Sequence, residues 1–332
     1  MRLAFLFPGQ GAQAVGMGRS LAETHPEARA VFEAADAALG FALSRLCWEG
    51  PEEELRKTVH AQPALLTHSI AAWTLLDRAG VRPAFVAGHS LGEYSAGVAA
   101  GALAFDDAVR LVHRRGELMY RAGLDRPGTM AAVLGLGRDA VEQACREAES
   151  EGGVARPANL NAPGQIVISG EVAAVERACE RARALGAKRA LRLDVSGAFH
   201  SPLMSGAADG LRTALAEVAI REARCPIVSN VTARPVRSAA EIRAALESQL
   251  LGAVRWEDSM RWLLEQRPDG FVEIGTGKVL RGLLRALDRD AACWNVEDPA
   301  TLQATLAAVG GAGLPAGRTD GHGGRAVSQK GR

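Results

Sequence analysis

The chain has 332 residues, 48% of them hydrophobic, and a formal net charge of +1. That length provides for a large buried core, with room for a second, smaller unit. Lys and Arg are spread along helical stretches, no apolar run reaches membrane-span length, and residues 1–8 are too short an apolar stretch for a secretory signal, so the sequence excludes a nucleic-acid binder and predicts a soluble chain without a membrane anchor.

Residues 3–7 are apolar without a break, which predicts a strand buried on both faces. It ends in Pro8-Gly9-Gln10-Gly11. Glycines around a polar residue at a strand's C-terminal end make either a loop that approaches a ligand or a simple turn. Residues 12–43 have helical periodicity, broken near Pro26. A helix is predicted from Gln62 to about residue 79, so densely apolar that it should be buried. His68 within it reads as a hydrogen-bonded core residue rather than a catalyst.

Residues 83–87 read as a short buried strand and residues 93–101 as an opening helix. Between them stands Gly88-His89-Ser90-Leu91-Gly92. Strand, G-x-S-x-G, helix is the context of a nucleophile elbow, a tight turn that lifts the serine hydroxyl above the sheet. It also points the first helix amides at whatever that hydroxyl attacks. A plain glycine-rich turn would carry the same five residues. A helix over residues 106–119 carries Arg110, Arg114 and Arg115. Helix arginines are ordinarily solvated, but Arg115 adjoins Gly116, Leu118 and Met119, which read as buried. A buried arginine needs an anion.

The chain changes character at Pro127-Gly128. Strands are predicted at 129–136, 154–160, 165–170 and 189–195, with helices at 139–150 and 172–185. That βαββαβ order is a ferredoxin-like module whose adjacent ends allow insertion into a larger domain. His200 follows, among small residues and just before a helix. With an elbow serine in the same chain it leads as general base, ahead of His89 and His113. The His89 side chain should turn away from Ser90, and His113 lies on the arginine-rich helix. Residues 226–232 read as a strand with a polar end, and 242–251 and 259–266 as helices. Residues 271–274 read as a last core strand, leading through Gly275-Thr276-Gly277-Lys278 into a helix over 279–287. Beyond about residue 310 periodicity is lost, so residues 311–332 read as a disordered tail. Cys47, Cys145, Cys179, Cys225 and Cys293 lie far apart without C-x-x-C spacing. They read as thiols of a reducing compartment, the cytoplasm, and not as a disulfide frame or metal site.

Four stretches together resemble one family, the malonyl-CoA:acyl carrier protein transacylases and the related acyltransferase domains of polyketide synthases. They are Phe7-Pro8-Gly9-Gln10-Gly11, Gly88-His89-Ser90-Leu91-Gly92-Glu93-Tyr94, Ala198-Phe199-His200-Ser201 and Glu273-Ile274-Gly275-Thr276-Gly277-Lys278-Val279-Leu280. Gln62-Pro63-Ala64 and Ser229-Asn230-Val231-Thr232 add to the resemblance, which covers about residues 3–287. Thr276 departs from it, since the family usually has proline there.

The resemblance implies an α/β fold. Its hydrolase-like core with a parallel sheet (residues 1–126 and 198–310) is interrupted by the ferredoxin-like insert (residues 127–197), and the site lies in the cleft between them. It makes Ser90 the nucleophile and His200 its base, with an oxyanion hole at the backbone amides of Gln10 and Leu91. It places Arg115 on the malonyl carboxylate and the Gln249 backbone carbonyl on the histidine. Phe199, with Ala198, stands at the pair associated with malonyl rather than methylmalonyl selection. The implied activity is ping-pong transfer of malonyl from malonyl-CoA to the phosphopantetheine thiol of acyl carrier protein, supplying fatty acid synthesis, with no metal and no bound cofactor. The alternatives are a free-standing acyltransferase of a polyketide assembly line and an acyl-thioester hydrolase. Arg115 argues against the hydrolase, because a buried arginine without an anionic substrate is costly. The expected partners are malonyl-CoA and acyl carrier protein, the latter held by a basic rim at Lys188, Arg189 and Arg192. A monomer is expected, with no nucleic acid and no membrane.

Overall fold

The computed structural model describes residues 1–310; the tail expected to be disordered lies outside them. All five residues of β1 (Leu3–Phe7) are buried, as a continuous apolar strand requires. Five helices follow: α1 (Arg19–Thr24), α2 (Pro26–Leu39), α3 (Leu43–Glu49), α4 (Glu52–Arg56) and α5 (Thr58–Arg78). The helical stretch expected over residues 12–43 is therefore divided. Pro26 takes the first position of α2, where no backbone N–H is needed. α5 starts at Thr58 and carries Pro63 inside it. Fifteen of its residues are buried, and tertiary packing of that extent outweighs a proline near the helix start.

Next come β2 (Pro83–Gly88), α6 (Gly92–Ala99) and α7 (Phe105–Asp125). A second run holds β3 (Thr129–Leu134), α8 (Arg138–Ser150), β4 (Ala155–Ala162), β5 (Gln165–Gly170), α9 (Val172–Ala184) and β6 (Arg189–Arg192). The chain then returns through a single turn at Pro202–Met204 to α10 (Ser205–Glu217), β7 (Ile227–Val228), β8 (Pro235–Val236) and α11 (Ala239–Gln249). It closes with α12 (Trp256–Glu265), β9 (Gly270–Ile274), α13 (Val279–Leu287), β10 (Cys293–Val296) and α14 (Pro299–Val309).

Six strands form one sheet in the order β10-β9-β1-β2-β7-β8. They run parallel except β8, which is antiparallel to β7. Leu3, Phe5 and Phe7 enter the large core shared with α5, whereas Ala4 and Leu6 face Trp256, Met260 and Leu284 of α12 and α13. Both faces are covered, the usual condition of a parallel sheet. The second sheet, β4-β5-β3-β6, is antiparallel throughout. Its side chains alternate: Ala131, Val133, Ile166 and Ile168 pack with α8 and α9, while Met130 and Val167 join the large core. The two units are stitched at Val254, whose N–H donates to Ala158 O (2.7 Å) and whose carbonyl accepts from Leu160 N (2.8 Å).

Several segments differ from expectation. β6 stops at Arg192, and the strand expected over 226–232 pairs only at Ile227–Val228. The residues released after β6, 193–195, line the cleft described below, and Asn230 after β7 bonds the turn that carries Ser90. Five elements had no sequence counterpart: α3, α4, β8, β10 and α14. β10 has four residues with a polar Asn295 inside, too short for a visible period. α14 had a readable start, because Asp298 and Thr301 form a reciprocal capping box.

Candidate active site

β2 ends at Gly88 and α6 begins at Gly92, leaving three residues for the turn. Ser90 takes φ +51°, a strained conformation for a residue with a side chain. A Cβ on Gly88 would overlap the Gly92 backbone, and one on Gly92 would overlap the Phe7 carbonyl. The elbow is thus pressed against the end of β1, an approach that only glycine permits. Asn230, in the loop after β7, braces the strained turn from behind. Its Oδ1 accepts from Ser90 N (2.7 Å) and its Nδ2 donates to Gly88 O (2.7 Å).

Ser90 Oγ lies 2.7 Å from His200 Nε2. His200 Nδ1 faces two backbone carbonyls, Gln249 O at 3.0 Å and Gly252 O at 3.2 Å. Two acceptors on that side put the proton on Nδ1 and leave Nε2 to accept from the serine hydroxyl. Among the described residues no carboxylate is bonded to the imidazole. Burial, and then the neighbouring Arg115 charge, push His200 down to about 3, so the ring is neutral at ordinary pH. His200 itself has φ +56°.

Arg115 is 1% exposed. Its Nη1 donates to Gln62 Oε1 (2.6 Å), and its Nη2 to Gln249 Oε1 (3.0 Å) and Ser90 Oγ (3.2 Å). The guanidinium lies over the Tyr94 ring, 5.5 Å from its centre, and Nε has no hydrogen-bond partner. Every partner of this buried cation is neutral. Gln249 does more than expected of it: besides its carbonyl on His200, its Nε2 donates to Ser90 O (2.9 Å) and to Glu93 Oε2 (2.6 Å). Glu93 Oε1 accepts from Asn230 N (3.3 Å), and burial pushes this carboxyl up to about 7.

These groups border a cavity of about 600 Å³ whose lining includes Gln10, Ser90, Leu91, Arg115, Phe199 and His200. The second sheet contributes Met130, and the segment after β6 contributes Leu193 and Val195. The backbone amides of Gln10 and Leu91 donate to no other group among the described residues. The Gln10 side chain is held by Thr58 Oγ1 (2.8 Å), which in turn accepts from Gln62 Nε2 (2.9 Å).

The competing histidines are engaged elsewhere. His89 Nε2 meets Asn161 Oδ1 of β4 (2.8 Å), and His113 lies against Phe41. His68 is a core residue bonded to Thr276 Oγ1 (2.8 Å) and Glu297 O (3.0 Å), and burial lowers it to about 4. Thr276, the departure from the family pattern, thus holds a buried histidine. Lys188, Arg189 and Arg192, expected at a basic rim, do not line the cavity itself, and Arg192 is turned to Thr129 and Glu176. The cations on the wall beside Arg115 are Arg56 and Lys57, from the short α4 segment that sequence periodicity did not reveal. Gln62, Glu93 and Asn230 were not singled out for roles in the site. Their sequence signal was that each stands in a stretch that resembles the family, with no role attached to it. Among the described residues no cluster of His, Cys, Asp or Glu could hold a metal ion, and no helix is long and apolar enough to cross a membrane.

Comparison with known proteins sets this geometry in a family. The model of the acyl transferase domain matches residues 4–295. The malonyl CoA-acyl carrier protein transacylase of Bacillus subtilis (strain 168) is 48% identical over 305 residues, covering 92% of this chain and 96% of the relative. That of Escherichia coli (strain K12) is 44% identical over 306 residues, covering 92% and 99%. Among solved structures, an acyl carrier protein S-malonyltransferase from Vibrio cholerae superposes with TM-score 0.89 at 41% identity, covering 92% of this chain and all of that one. A malonyl-transacylase solved in complex with a type II PKS acyl-carrier protein gives TM-score 0.89 at 42% identity, covering 93% of this chain and all of that one. A domain match across nearly the whole described chain, with relatives this similar along their full length, makes the protein a member of the acyl transferase domain family, among the malonyl CoA-acyl carrier protein transacylases.

Proposed function

We propose that this protein transfers the malonyl group of malonyl-CoA to the phosphopantetheine thiol of an acyl carrier protein, through a malonyl ester on Ser90. The observation that carries the proposal is that the Ser90 hydroxyl stands between His200 Nε2 at 2.7 Å and the Arg115 guanidinium at 3.2 Å. One neighbour can take a proton from the hydroxyl; the other can hold an anion beside it.

His200 removes the Ser90 proton as Oγ attacks the thioester carbonyl. The oxyanion forms against the Gln10 and Leu91 amides, which have no other acceptor. On collapse the carbon–sulfur bond breaks, and His200 returns the proton to the departing CoA sulfur. The carrier thiol then gives its proton to His200 and attacks the ester, and Ser90 leaves as alkoxide and is reprotonated by the imidazolium. Carbonyl dipoles from Gln249 and Gly252 orient the ring throughout. No step draws on a cofactor.

In this reading the parallel-sheet unit (residues 1–126 and 198–310) is a hydrolase-like catalytic core. The antiparallel unit (residues 127–197) is a ferredoxin-like insert that walls the cleft, and the reaction takes place in the cytoplasm for fatty acid synthesis. The structural neighbour bound to a type II PKS carrier supports a second reading, in which a polyketide carrier accepts the same acyl group.

The test is brief incubation with malonyl-CoA, acid quench and peptide mass spectrometry. A malonyl adduct on the Ser90 peptide is expected, discharged by phosphopantetheinylated carrier. Transfer by a protein that never carries the adduct on Ser90 would overturn the proposal.

A further inference from the structure

We propose that Glu93 is the positioning residue that aims Arg115 at the substrate carboxylate, and that it does so only as a carboxylate, by dictating which end of the Gln249 amide faces the guanidinium. The inference rests on the proposed Ser90 mechanism and assigns a role to a residue that the mechanism does not itself use.

The argument is one of donors and acceptors. Both Glu93 oxygens are met by donors, Asn230 N–H and Gln249 Nε2. Gln249 Nε2 also donates to Ser90 O. With its amide nitrogen committed twice, Gln249 must turn Oε1 to Arg115 Nη2, at 3.0 Å. A protonated Glu93, or a glutamine in its place, replaces one acceptor by a donor. Either the Asn230 backbone N–H then loses its acceptor, or Gln249 flips and turns its NH₂ against the guanidinium. A buried donor facing a donor costs the desolvation of both.

Burial raises the Glu93 pKa to about 7, and the Arg115 charge on α7 opposes that rise. The other titratable groups around it are Tyr94 on α6, itself pushed up to about 12 by burial, and His200 and His89, both lowered by burial. α5 presents neutral Gln62, while its His68 is turned to Thr276 and Glu297. α11 presents Gln249, and β1, β2 and β7 carry no titratable side chain. The ionised form is the competent one, so activity should fall as pH drops through about 7. His200, held near 3, would place such a limb far lower.

The experiment is the pH profile of kcat/KM for malonyl-CoA, with acylation by acetyl-CoA as internal reference. An acetyl group has no carboxylate to meet Arg115, so wild-type protein should show the acid limb with malonyl-CoA and not with acetyl-CoA. Glu93→Gln should lose roughly ten- to hundredfold in kcat/KM for malonyl-CoA at pH 8, mostly through KM, and lose the limb as well. Acetyl-CoA acylation should fall much less. An equal limb with both substrates in the wild type overturns the inference whether or not the variant folds. So does a limb that persists in Glu93→Gln, or a proportional loss with both substrates. Absence of malonyl on Ser90 in the wild type is a different result, and it would defeat the proposed function itself.

Discussion

Arg115 is surrounded by amide oxygens, a hydroxyl and an aromatic face, with its nearest carboxylate, Glu93, reached only through Gln249. Burial pulls its pKa below the ordinary value, which measures how poorly neutral partners replace water. A malonyl carboxylate can supply two parallel charge-assisted hydrogen bonds; the methyl of acetyl-CoA supplies none. Leaving one side of a buried charged pair unpaired costs about 3–5 kcal/mol, so malonyl should be favoured by roughly a hundredfold or more. Arg115→Ala should therefore lose most malonyl transfer and narrow the gap to acetyl-CoA, with Ser90 still reactive. The kcat/KM values for the two thioesters on the variant decide this, and an unchanged ratio would reduce Arg115 to a brace of its helix. The same residue scale shows that Gln249 does more than accept from His200 through its carbonyl. Its side chain ties Arg115, Ser90 and Glu93 into one network that only a buried amide with both ends committed can make.

At the scale of elements, the site depends on how closely the end of β1 approaches the β2–α6 turn. His89 N donates to Phe7 O at 3.0 Å, and the Gly92 Cα lies where any side chain would meet that same carbonyl. Gly92→Ala should destabilise the fold by about 1–3 kcal/mol, since the backbone must move to admit a methyl group. It should also slow Ser90 acylation, because the Leu91 amide and the Ser90 hydroxyl ride on the turn that moves. Thermal unfolding and the rate of adduct formation check the two effects together. A variant with the wild-type melting temperature and acylation rate would show that the contact is not tight. α5 contributes at this scale as well. It runs buried past α7 and carries Gln62 to Arg115 and Thr58 to Gln10, so one helix sets two walls of the cavity.

On the scale of the whole molecule, the antiparallel unit is not a loose appendage. Met130 and Val167 on one face of its sheet belong to the large core, while the opposite face packs under α8 and α9. His89 of the elbow is bonded to Asn161 of β4, and Val254 exchanges backbone bonds with Ala158 and Leu160. The two units should therefore unfold together. All five tryptophans, at 48, 73, 256, 262 and 294, lie in the parallel-sheet unit, whereas buried Cys145 and Cys179 lie in the antiparallel unit. Tryptophan fluorescence and the labelling of these two thiols should give the same urea midpoint. Separated midpoints would show that the antiparallel unit opens independently and that the cleft has a movable wall.

The local elements that carry the chemistry were legible in the sequence because each has a short-range cause. β1 and β2 are apolar runs, Ser90 stands in a glycine-flanked turn between strand and helix, and the βαββαβ order is written in alternating periods. Arg115 could be singled out by its buried neighbours and His200 by an elbow serine in the same chain, and the resemblance supplied the roles of Gln10, Leu91, Phe199 and Gln249, all but Gln249's side chain where the cavity or its edge now lies. What holds those residues in register was not legible. The partners of Arg115 lie 53 and 134 positions away, and Gln249 reaches Ser90 across 159. Glu93 and Asn230 matter because of the donors and acceptors that meet them, and no local pattern records such a meeting. Nor could the sequence show that Arg56 and Lys57 line the cavity wall, because which solvated cations face a cleft depends on the packing of α4. Periodicity reports which face of an element is buried; only the assembled fold decides which buried polar groups confront one another.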